Sequence, residues 1–157
     1  VPGISVIVRG SLMNVAFTNM AVLANMEANY AQRKFIKDVN GVSAFSNGLS
    51  ENNLIFTSSF NGSEYEYVID NGTRTIKCSK DAGASGLLLQ RVVKDTTINA
   101  VNYISKFTYK DKNNSDLGGS PSAADVHGVE LTFYLLRGES FYKYTTYATI
   151  DNNQLDL

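Results

Sequence analysis

The sequence predicts an α+β fold in which one long N-terminal helix packs on an antiparallel β-sheet of about six or seven strands. Three observations carry this. Apolar residues from Met13 to Val39 recur at steps of three and four, the period of a helix. After Phe45 the period changes to two, the period of a strand. Between two alternating runs stands Asp70-Asn71-Gly72-Thr73, a tight-turn signal. At 157 residues the chain is read as a single domain, with 1–40 a helical stem and 41–157 a β-rich head.

The helical stripe consists of Met13, Phe17, Met20, Ala24, Ala28, Ala31 and Phe35, with Val39 one turn further. Small residues dominate its middle, so a neighbouring element can approach closely there. Arg9 is the one charge between Gly3 and Met26, whereas Glu27, Arg33, Lys34, Lys37 and Asp38 crowd the later half. That later half therefore faces water on one side. Asn40-Gly41 should end the helix, because both residues tolerate the left-handed conformation that closes one. Gly10 leaves two readings of Ile4 to Val8 open, the same helix continued or an extended arm.

Among the strands, Asn53 to Thr57 is a short one, and Glu64 to Ile69 alternates strictly. The alternation puts Glu64 and Glu66 on one face, Tyr65 and Tyr67 on the other. Asn71-Gly72 then accepts the positive φ angles of a two-residue hairpin leading into Thr73 to Cys78. Leu87 to Val93, Ile104 to Tyr109, Val129 to Leu136 and Phe141 to Ile150 complete the meander. The polar run from Asp111 to Ala124 is the longest irregular segment and belongs at a surface.

Fourteen basic and fifteen acidic residues give a formal charge of −1, so no global field draws nucleic acid or anionic lipid. No nucleic-acid partner is expected. The lone cysteine, Cys78, cannot form an internal disulfide. Nine tyrosines, no tryptophan and many Asn, Ser, Thr and Gly suit a strand-rich extracytoplasmic protein. No stretch reaches the roughly eighteen apolar residues of a membrane span, and no secretory leader is recognisable, so a mature or truncated form is expected.

Few residues point to chemistry, and no enzyme activity and no cofactor are expected. His127 is the only histidine, which excludes a metal cage of several His ligands. Cys78 shares a strand face with Ile76 and reads as a small buried hydrophobe rather than as half of a Cys-His dyad. Glu64 and Glu66 could serve as acid and base, but pairing with Arg74 and Lys77 across the hairpin explains them more simply. Asp111, Asn113 and Ser115 have the spacing that opens a calcium loop. Asp116 and Ser122 stand where that loop needs glycine and a bidentate glutamate, so the three are weak calcium candidates beside a generic polar turn. Asn61-Gly62-Ser63, Asn71-Gly72-Thr73 and Asn113-Asn114-Ser115 match the glycosylation acceptor pattern and read as turn chemistry.

The order of pieces resembles a known family. The run Tyr30-Ala-Gln-Arg-Lys-Phe-Ile-Lys-Asp-Val-Asn is followed by Asn53-Leu-Ile-Phe-Thr. Tyr65-Glu-Tyr-Val-Ile-Asp-Asn-Gly-Thr-Arg-Thr-Ile-Lys comes next, then Lys106-Phe-Thr-Tyr-Lys-Asp and Val129-Glu-Leu-Thr-Phe. Together they look like the J-type minor pseudopilins of type II secretion and the W-type minor pilins of type IV pili. The resemblance covers most of Tyr30 to Phe133 and lies in order and spacing. It implies a pilin-like, non-enzymatic filament subunit, a minor tip or initiation component. Such a subunit would be extracytoplasmic, in the periplasm or at the cell surface, and anchored in the inner membrane before assembly. Its partners would be other pilin or pseudopilin subunits. The family's apolar half-helix and its early glutamate have no counterpart here, so membrane anchoring is expected only through a stem segment missing from this chain.

Independently of the resemblance, a helix that apolar at its early end leaves a surface in need of cover. The expected assembly interface is Leu12, Met13, Ala16, Phe17, Met20 and Leu23. A strand of the same chain lying over these residues would produce the same stripe. The rival classes are a β-rich binding module or adhesin, using Tyr142, Tyr144 and Thr146 as a stacking face, and a hydrolase using His127 or Glu66.

Overall fold

The computed structural model describes residues 2–93 and 95–150, and side chains from 20 onward. Helix α1 spans Pro2–Asn40. Eleven strands follow among the described residues: β1 Val42–Phe45, β2 Asn53–Ser58, β3 Glu64–Asp70, β4 Thr75–Lys80, β5 Gly86–Gln90, β6 Val92–Val93, β7 Asp95–Ile98, β8 Val101–Ile104, β9 Lys106–Lys110, β10 Gly128–Arg137 and β11 Ser140–Thr149. Strands β1 to β5 form one antiparallel meander; β11, β10 and β6, with β9 on β10, form a second sheet; β7 and β8 form a two-stranded third.

This overturns the expected architecture of a long helix on one sheet of six or seven strands. The stretch of α1 whose packing is described is 20–40, and the molecule is mostly β, in several antiparallel sheets. The run Leu87 to Val93 is where the expectation breaks. Arg91 takes a left-handed φ of 53°, ending β5 in the first sheet and starting β6 in the second. A strand that changes sheets at such a corner turns one apolar run into two elements. The other unforeseen pair, β7 and β8, is joined by Asn99 and Ala100 with φ of 52° and 64°. Positive φ at both central residues is the requirement of a type I′ hairpin.

Two local expectations also change. The β3–β4 hairpin lies where Asn71-Gly72 placed it, but Asp70 pairs with Thr75, leaving a four-residue loop whose left-handed residue is Arg74, at φ 55°. Asp70 Oδ1 accepts from the N–H groups of Gly72 at 2.9 Å and Thr73 at 3.3 Å, which stabilises the longer turn. The helix does end at Asn40, with the Gly41 N–H donating to the Lys37 carbonyl at 3.2 Å. Gly41 is there for space: the Phe60 ring occupies the position a Cβ would take.

Ala24, Ala28, Ala31, Phe35 and Val39 are completely buried, one narrow stripe of α1 facing the sheets. The alanines let the helix lie close, while Phe35 reaches between the layers. Its ring is edge-on to Tyr67 of β3 at 6.3 Å and stacked on Phe107 of β9 at 6.4 Å. The core is continuous across α1 and both large sheets, through Leu54, Phe56, Ile76, Leu89, Val129, Leu131 and Phe133.

The β7–β8 hairpin interrupts the edge of the second sheet, because β6 pairs with Tyr134 and Leu135 of β10 while β9 pairs with Gly128 through Thr132. Ser105 closes the gap. Its buried hydroxyl donates to the Val93 carbonyl and accepts from the Tyr134 N–H at 3.0 Å. Removing it takes a hydrogen-bond partner from a buried carbonyl and a half-buried N–H, so Ser105→Ala should cost about 1–3 kcal/mol in urea unfolding. Phe35→Ala should cost about 3–5 kcal/mol in the same measurement, since both sheets lose a partner at once.

Candidate assembly surface

The opposite face of α1 is uncovered. Val22, Leu23, Met26 and Tyr30 are 48, 56, 63 and 65% exposed, whereas a helix packed on a globular core ordinarily turns polar residues outward. From Arg33 the same side becomes charged, with Lys37 one turn on. Four of the exposed large apolar residues, Val22, Leu23, Met26 and Tyr30, thus lie in the earlier turns, with Ile36 exposed further along.

Polar contacts fix the rotation of the helix. Arg137, buried at the end of β10, donates through Nη1 to the carbonyls of Gln90 at 3.2 Å and Leu136 at 2.8 Å, and through Nη2 to Glu27 of α1. Glu27 is half-exposed, so water shares its charge. Tyr144 of β11 donates to Asn25 Oδ1 at 2.6 Å. Further along, Lys34 Nζ contacts Asp38 Oδ2 at 2.7 Å and the Tyr67 hydroxyl at 3.3 Å, and that hydroxyl donates to Asp38. Burial, then the Asp38 charge, pushes the Tyr67 phenol far above its ordinary value. Burial works against the charge on Lys34, but the Asp38 hydrogen bond and charge outweigh it and raise that pKa. Burial raises the Cys78 thiol beside this cluster, which suits an inert packed cysteine.

Of the expected interface, Met20 and Leu23 are described and exposed; Leu12, Met13, Ala16 and Phe17 lie outside the described side chains. Met20 also borders the β10–β11 turn, its Sδ lying 3.1 Å from where a Cβ on Gly138 would stand. Val22, Met26 and Tyr30 were missing from the expected set. Their four-residue spacing opposite the buried stripe was the signal that could have found them.

The other candidates disperse. Asp111 Oδ1 accepts from the N–H groups of Asn113 at 2.8 Å and Ser115 at 2.9 Å, so its carboxylate closes the turn on itself. Among the described residues no group of three or more His, Cys, Asp or Glu side chains could hold a metal. His127 lies at the entry of β10 in the second sheet and Cys78 on β4 in the first, so they form no dyad. Glu66 stands opposite Ser79, not a cation, and its carboxylate accepts from Asn53 Nδ2 at 2.9 Å; Glu64 accepts from Ser46 Oγ at 3.3 Å. The expected pairing with Arg74 and Lys77 is replaced by these contacts. Tyr142 and Tyr144 pack against the core and Thr146 is buried, so no free tyrosine platform forms there. Tyr144 is instead stacked on Phe133 at 5.3 Å.

Comparison with protein families, curated proteins and solved structures finds no match to this chain. Among the described residues no helix is long and apolar enough to cross a membrane.

The cluster around Tyr67 sets an alkaline limit. A phenol or ammonium whose pKa is higher folded than unfolded contributes stability fully below the unfolded value and loses it as pH rises toward the folded one. Tyr67 and Lys34 both shift upward, so the melting temperature should fall above about pH 10. In Tyr67→Phe the fall should be shallower, as thermal scans from neutral to strongly alkaline pH would register.

Proposed function

We propose that this chain is a non-enzymatic structural subunit that assembles with sister subunits through the outer face of α1, in a filament of the type IV pilus or type II secretion pseudopilus class. The observation that carries the reading is the uncovered apolar surface of Val22, Leu23, Met26 and Tyr30 on a helix whose other face is already fully used. Clustered apolar exposure of this kind marks contact sites on soluble domains. The polar ties from Arg137, Tyr144 and Tyr67 support it, because they hold the helix in one rotation and present the same residues in every copy. The ordered run of fragments from Tyr30 to Phe133 supports the pilin-like class, a minor tip or initiation role and an extracytoplasmic location. The binding-module alternative has less support, since Thr146 is buried and the Tyr144 hydroxyl donates to Asn25 of the helix.

Sedimentation velocity of the wild-type chain should show concentration-dependent association. The double substitution Leu23→Ser with Met26→Ser should shift it toward monomer while leaving stability within about 0.5 kcal/mol, as befits exposed positions. Association that persists unchanged in the variant would rule out this face.

A further inference from the structure

A cavity of about 740 Å³ opens at the corner where the chain passes from the first sheet to the second. Arg74 and Arg91 both line it. Thr75 pairs with Gln90 in the β4–β5 ladder, so the two arginines stand side by side just past its last pair. Both have left-handed backbones, and both carbonyls are held: Val92 N–H donates to Arg74 at 2.9 Å and Leu136 N–H to Arg91 at 3.0 Å. The backbone therefore fixes two exposed cations as neighbours at one cavity. Among the described residues the ion pairs are Lys34–Asp38 and Arg137–Glu27, so neither cavity arginine has a carboxylate partner.

Adjacent like charges repel, and an anion between them converts that repulsion into attraction. Guanidinium groups suit this role because their planar forks take two oxygens of one carboxylate or phosphate. Beside them the cavity has an apolar wall, Val92 and Val93 buried and Leu136 and Phe141 half-buried. Asp95 also lines the cavity and disfavours multiply charged ligands. We propose that this corner cavity binds an oxyanion, a carboxylate or a phosphate, carried on a small molecule with an apolar part: Arg74 and Arg91 hold the oxygens, and the apolar part rests on Val93 and Phe141. The site is independent of the assembly face on α1.

Calorimetric titration of the full chain at low ionic strength tests this, with benzoate, acetate, inorganic phosphate and neutral benzamide as probes. Saturable binding of benzoate, tighter than acetate and absent with benzamide, is expected if the ligand is a carboxylate; preference for phosphate over benzoate assigns the phosphate source. Arg74→Gln with Arg91→Gln should weaken the bound probe at least about tenfold, the scale of a lost charge-assisted hydrogen bond. Arg91→Lys, which keeps charge but loses the fork, should give an intermediate loss. Each variant is compared at an unchanged melting temperature, and Arg91→Lys serves as the readout if the double variant fails to fold. No saturable binding of any anion, or equal binding by wild type and variants, would overturn the proposal.

Discussion

The contact on which the architecture depends is the insertion of Phe35 between two sheets. A helix can cover one sheet with a stripe of alanines, but alanine side chains are too short to reach into a second. Phe35 spans that distance, edge-on to Tyr67 in the first sheet and stacked on Phe107 in the second. Offset and edge-to-face aromatic pairs add to the area they bury, roughly 0.5–1.5 kcal/mol each. The layers are also joined at their rims. The Tyr109 hydroxyl of β9 lies 2.8 Å from the Ser50 carbonyl and 2.6 Å from that of Asn53, its single proton shared between them, and the Phe107 N–H donates to Glu51 at 2.9 Å. The loop before β2 is thereby tied to the second sheet, and the two sheets share one core with the helix.

The corner at Arg91 is the covalent counterpart of that contact. A left-handed non-glycine residue costs on the order of 1–2 kcal/mol relative to an ordinary backbone. The cost is borne at both Arg74 and Arg91, where the chain closes the β3–β4 hairpin and changes sheets. What over-determines these conformations is the pair of backbone bonds from Val92 and Leu136, which would be lost if either residue relaxed. Ser105 performs a similar repair on the far side of the β7–β8 excursion.

How much of this was legible follows from which physical signals are local. The buried stripe from Ala24 to Val39, the end of the helix at Asn40, and β2, β3, β4, β10 and β11 all express side-chain period, which a sequence displays directly. The division into sheets does not, because period reports which face is buried and is silent about the strand next door. Leu87 to Val93 is apolar throughout, and nothing in those residues announces that Arg91 must turn. Asn99-Ala100 lacks the glycine that makes a hairpin turn visible. Asn71-Gly72 has it, yet the carboxylate of Asp70 selects a longer loop by capturing two N–H groups. At the candidate surface, the expected interface combines Met13, Phe17 and Met20 of the stripe with Leu12, Ala16 and Leu23 beside it. Leu23 is exposed, and Met26 and Tyr30 continue its side one and two turns beyond the expected set.

Two apolar faces on one helix pose an energetic question that a single sheet cannot answer. The inner stripe satisfies the fold, so selection for stability does not require Met26 or Tyr30 to be apolar; a lysine or glutamate there would improve solubility and retain helix propensity. The charged residues of the later turns show that the same side of this helix accepts polar groups, since Arg33 and Lys37 occupy it without disturbing Phe35 or Val39. The switch from apolar to charged along one side divides the exposed face of α1, and the subunit contact proposed above falls on its apolar part. Arg137 ties Glu27 on the helix to the carbonyls of Gln90 and Leu136 on the strands, which opposes rotation of the helix about its axis.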